Sequence, residues 1–261
     1  MATWDYNQID YAGIDKERLR SDDDLFNFVV IASFIEITSD LYEKNLVSFY
    51  EGDGALTQWL GDVWEPEELQ HGHALRRYIA TVWPEFDWQK AYEGFREEYG
   101  AMCTIDAFQP TRAAEMLARM VVETGTSTFY KALRGYAETL DEPVLARIAT
   151  NISRDEVRHF EQFETGFRRY NEDEKLTRLD ITKIISTRLK EANDEDVQIA
   201  YSHIRPGEPF EAFRLTMKAF AKKYYPYTMA VKMLMRPLQL NPLVETAMAT
   251  TVRGTLKVFG I

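Results

Sequence analysis

Glu67-Glu68-Leu69-Gln70-His71-Gly72 and Asp155-Glu156-Val157-Arg158-His159 hold two of the chain's four histidines, each three residues after a glutamate. Three residues turn an α-helix by about 300°, so a Glu and a His at this spacing share one face, one turn apart. Each pair can therefore aim its carboxylate and imidazole at a single point. Upstream of each pair runs an apolar helical stretch with one inward glutamate, Glu36 before Glu68 and Glu123 before Glu156. The separations are 32 and 33 residues, the spacing of two successive helix hairpins of similar length.

Working outward, the order Glu, Glu-x-x-His, Glu, Glu-x-x-His gives a predicted metal set of Glu36, Glu68, His71, Glu123, Glu156 and His159. Ferritin-like di-iron proteins take one Glu from each of two helices and one Glu-x-x-His from each of the other two. Four carboxylates and two imidazoles are hard oxygen plus borderline nitrogen donors, which suit iron or manganese better than tetrahedral zinc. Bridging glutamates hold such ions about 3.5–4 Å apart, close enough for O2 to meet both. Glu123 and one further glutamate are the expected bridges.

Ligand histidines need an acceptor on their second ring nitrogen. The residue before each ligand glutamate is acidic in both halves, Glu67 and Asp155, and these are the expected acceptors. Thr126 stands at i+3 from Glu123, where its hydroxyl either hands over a proton or bonds back to its own helix. Gly125 either admits a small molecule to the backbone or only loosens the helix. His73 falls about 200° round the helix from His71 and is not expected to be a ligand. His203 has no assigned role.

The length allows one large domain or two small ones. The 261 residues are 45% hydrophobic and 13% aromatic, enough for a packed core. A single cysteine, Cys103, excludes an internal disulfide and any four-thiolate metal site, and it suits a cytoplasmic setting. The acidic start predicts no signal peptide, and the longest apolar run, Phe28 to Ile35, predicts no transmembrane segment. Nothing in the pattern points to nucleic acid. Net charge is −11, yet the stretch from Phe213 onward carries eight basic residues and one acid, leaving −18 on the remainder. That basic stretch is either a solvated face or a dock for an anionic partner.

The expected fold is all-α, a ferritin-like four-helix bundle over residues 22–170 with additional helices in 175–261, after an N-terminal extension of residues 1–21. Ser21 followed by three aspartates predicts the first helix start, and Glu51-Gly-Asp-Gly54 its end. A second helix is expected from Ala55 to Val82, opened or kinked by Pro66 and stopped by Pro84. A third runs from Thr111 to about Leu140 and a fourth from Pro143 to about Tyr170. Further helices are expected at Lys175–Ala192 and Phe210–Tyr225, a loop at Ile204–Pro209, and short helices from Tyr227 to Ile261.

The motif Trp64-Glu-Pro-Glu-Glu68-Leu-Gln-His71-Gly72, with Asp155-Glu156-Val-Arg158-His159, resembles the paired motifs of soluble acyl-carrier-protein desaturases. Glu123 with Thr126 matches that family's single glutamate and active-site threonine; Gln70 departs from it, standing where the family has arginine. The resemblance implies a homodimer with two iron ions and O2 as co-substrate, manganese being admissible. It also implies an electron donor such as ferredoxin and an acyl substrate, either free or tethered to a carrier. Related scaffolds hydroxylate or N-oxygenate, and bacterioferritins share the ligand order but are compact four-helix subunits. A radical tyrosine four residues after His71 is excluded, since that position is Leu75.

Overall fold

The computed structural model describes residues 4–191 and 195–240, and among these every regular element is helical. In chain order the α-helices are α1 (Lys16–Leu19), α2 (Asp23–Ile37), α3 (Ser39–Phe49), α4 (Gly54–Trp59), α5 (Glu65–Val82) and α6 (Trp88–Gly100). They continue as α7 (Arg112–Thr139), α8 (Pro143–Glu174), α9 (Arg178–Glu191), α10 (Glu195–Ile204), α11 (Phe210–Tyr224) and α12 (Tyr227–Met235). The chain divides into two compact units. The first comprises Met1–Phe108, Leu140–Ile148 and Asp194–Phe213; the second comprises Gln109–Thr139, Ala149–Asn193 and Arg214–Ile261.

In the first unit, α2 packs along α5, and α10 packs on both α2 and α6. Helix α2 is buried round almost its whole circumference, from Leu25 to Phe34, as expected of a helix at the centre of a core. Its start is one residue later than Ser21 suggests. Asp22 is the cap, its carboxylate accepting from the Leu25 N–H at 2.8 Å, while Ser21 lies outside the helix. The single helix expected over this stretch is also broken, at Thr38, whose hydroxyl donates to the Phe34 carbonyl at 2.7 Å and so competes for a helical acceptor. The whole run Asp23–Phe49 is long and apolar enough to cross a membrane by length and composition, unlike the shorter Phe28–Ile35. Yet 78% of its most apolar window is buried within the protein, as in a core helix.

Gly52, at φ 93°, lets the chain reverse after α3, and Asp53 caps α4 by accepting from the Leu56 N–H at 3.2 Å. The expected second helix is three pieces. Leu60–Trp64 forms a π-helical turn in which the Glu65 N–H donates five residues back to the Leu60 carbonyl, and Pro66 then occupies the first turn of α5, where its missing N–H costs nothing. Between Pro84 and Pro110, where no element was expected, Asp87 caps α6. Phe34 of α2 meets α6 through Trp88, Tyr92 and Phe95. Asp141, in the left-handed region at φ 53°, makes the turn before α8, and the Glu142 carboxylate accepts from the Val144 and Leu145 N–H groups.

The second unit is built on α7 and α8. In α8 the buried positions Ile152, Asp155, Glu156, His159, Phe160, Phe163 and Phe167 recur every three or four residues, a stripe that faces inward. Helices α9 and α12 pack on α7, the latter through the Ser127 hydroxyl against Met233. Arg236 ends α12 over the Phe160 ring and pairs with buried Glu164. The basic residues Lys222 and Lys223 are exposed in the last turn of α11. Arg253, Lys257 and the short helices expected beyond residue 240 lie outside the described residues.

Candidate metal centre

In the first unit, Glu36 comes from α2, and Glu68 and His71 from one face of α5. All three are buried, with His71 fully so. Their ligand atoms lie within 4.8 Å of one another. His71 Nδ1 stands 3.4 Å from Glu36 Oε2, longer than the usual N–H···O span of about 2.7–3.2 Å. A span beyond hydrogen-bond length between two buried donors is what side chains facing a common point, rather than each other, produce.

The second unit repeats the arrangement. Glu123 of α7 and Glu156 and His159 of α8 are all buried, with ligand atoms within 4.8 Å of one another. His159 Nδ1 lies 3.8 Å from Glu123 Oε2 and 3.7 Å from Glu156 Oε2, again the spread of side chains facing a common point. Each triad is a hard-donor set of two buried carboxylates and an imidazole, a combination whose burial favours a bound cation.

Among the residues around the triads, Thr126 bonds back to its own helix, one of the two alternatives its position offered, and also reaches Glu156. Its hydroxyl lies 3.0 Å from Glu156 Oε2, and also 3.3 and 3.4 Å from the Glu123 and Val122 carbonyls. The Thr126 side chain is half-buried, whereas Glu156 is buried. Asp155 is fully buried and its carboxylate takes Arg158 at 2.7 Å; Glu67 is buried on α5. Gly125 is exposed, and nothing lies within 4 Å of where its β-carbon would be. His73 sits off the triad, stacked at a tilt on Tyr6, and His203 pairs with Glu98.

One neighbour of the triad was not foreseen. The Trp4 ring lies parallel to the His71 imidazole, 6.2 Å between centroids and 8° between planes. Tyr11 nearby donates to the Ala74 carbonyl, so this N-terminal stretch runs along α5. Its only sequence signal is the aromatic spacing Trp4, Tyr6, Tyr11, which does not specify a partner 67 residues away.

No family model matches the chain, and no curated protein matches it. Among solved structures, it resembles a point mutant of an R2-like ligand-binding oxidase carrying an aerobically reconstituted Mn/Fe cofactor. The TM-score is 0.50 at 16% identity, over 91% of this chain and 88% of the other. That likeness defines the class of fold: the protein is ferritin-like and all-helical, as the sequence predicts.

Proposed function

We propose that each triad holds a metal ion, iron or manganese, so that the chain carries a pair, and that it is an O2-dependent di-metal oxidase. The observation that carries this is the duplicated buried Glu/Glu/His set, each with its Nδ1-to-carboxylate spans of 3.4–3.8 Å. The Mn/Fe cofactor of the structural neighbour supports the same metals on this fold. When bound, such a pair supplies O2 reduction next to a substrate. The six ligands hold the ions, with Glu67 and Asp155 orienting the imidazoles. The Thr126 hydroxyl, hydrogen-bonded to Glu156, holds a proton beside that carboxylate. Trp4 stacks parallel to the His71 imidazole.

At the finer level, the motif pair around Glu68 and Glu156, with Thr126, favours an aliphatic, acyl-type substrate and desaturation. That reaction takes two hydrogens from the chain and needs two electrons from a donor such as ferredoxin together with two protons from solvent, so that O2 leaves as two waters. The working form is a homodimer in the cytoplasm. Metal analysis after iron-replete expression should give two ions per chain. Glu123→Ala and Glu156→Ala should each abolish stoichiometric loading while far-UV circular dichroism stays helical. One ion in the parent, or zinc alone, would remove the reading. Incubation of the reduced protein with O2 and an acyl thioester, followed by mass spectrometry, should show a loss of two mass units; a gain of sixteen would instead assign hydroxylation.

A further inference from the structure

We infer that Gly72 is a positioning residue for the Glu36/His71 half of the site, a point where α5 lies directly against the backbone of α2. A β-carbon there would stand 2.3 Å from Ile37 Cγ1, 2.9 Å from Ile37 N and 3.2 Å from Glu36 Cβ. The Ile37 side chain could turn aside, but the amide nitrogen belongs to a buried helix and moves only if α2 moves. Gly72 follows His71 and Ile37 follows Glu36, so the contact is one residue from each donor. A displacement there changes the 3.4 Å span between Glu36 and His71 directly.

The second unit has no such constraint among its described glycines. A β-carbon at Gly166 meets only Met116 side-chain atoms, with Sδ at 2.8 Å, and a flexible thioether gives way readily. Gly166 also lies two helical turns beyond His159. The two triads should therefore answer differently to the same added methyl group.

This inference rests on the di-metal reading, and three full-length variants separate the two. Gly166→Ala should bind two ions like the parent. Gly72→Ala should keep one tight ion and bind the other about 10-fold to 100-fold more weakly, the usual loss when support for a ligand is removed. Ile37→Ala with Gly72→Ala relieves the 2.3 Å contact but leaves the backbone contact, and it should show the same loss. Two ions at parental affinity in either Gly72 variant would overturn the assignment. A parent that fails to bind two ions would instead count against the di-metal reading. Even then a crystal structure of metal-free Gly72→Ala decides the inference: it predicts a Glu36–His71 span well beyond that of the parent, and an unchanged span overturns it.

Discussion

At the scale of single residues, Thr126 is the most informative position. Its hydroxyl bonds both to its own helix and to Glu156, so a local helical habit and a role at the site coexist in one group. Thr126→Val should leave metal content unchanged but lower the product formed per O2 consumed, by about 10-fold or more if it behaves like other groups that support a metal ligand. Thr126→Ser should retain parental coupling; equal coupling in the valine variant would make Thr126 a packing residue. Four of the six candidate ligands were readable from sequence because a three-residue interval maps onto one helix face whatever the surroundings, and Glu36 and Glu123 because each interrupts an apolar stretch 32 or 33 residues upstream. Trp4 was not, because its meeting with His71 is made by the path of the chain between them. The short reach of a capping carboxylate also decided between neighbours that look alike on paper, Asp22 over Ser21.

The helices carry a second layer of expectations. Gly125 lies on the exposed side of α7 with open space where a β-carbon would go, so Gly125→Ala should raise stability by about 0.5–1 kcal/mol in chemical denaturation. No gain would mean that the small residue is needed for approach to the backbone. Where α3 meets the start of α5, burial and the Glu65 carboxylate push the Glu43 pKa up. The ionised form is therefore disfavoured in the folded state, and the cost is present at neutral pH and relieved as pH falls through the raised value. Glu43→Gln should accordingly raise the melting temperature at pH 7, by an amount worth no more than about 1 kcal/mol for partly exposed charges, with the advantage shrinking in acid. A difference independent of pH would point to packing instead. Helix positions followed from hydrophobic period, but the break at Thr38 and the π-turn at Leu60–Trp64 did not, since the first depends on a hydroxyl sharing the Phe34 carbonyl with a backbone N–H and the second on which carbonyl the Glu65 N–H chooses. Helix α6 had a readable pattern, Trp88, Tyr92, Phe95 and Tyr99 behind Asp87, that the flanking prolines obscured.

On the scale of the whole molecule, the uneven charge remains the main expectation open to test. If the basic stretch from Phe213 onward docks an acidic carrier, turnover of carrier-tethered substrate should fall as salt rises, since attraction between exposed charges is screened within about 10 Å at 0.1 M. Reversing exposed Lys222 and Lys223 to Glu should raise the apparent KM for tethered substrate mainly through slower association, leaving metal content as it was. An unchanged KM and salt dependence would make this a solvated face.

The two units are threaded through each other in sequence: the chain enters the first three times and the second three times. Neither can be cut out as a gene segment. A fragment ending at Phe108 would keep Glu36, Glu68 and His71 but lose α10, which packs on both α2 and α6, and so would bare the apolar flank of the helix that carries Glu36. Truncation or nicking at Phe108 or Thr139 therefore cuts between segments of one compact unit rather than between the units.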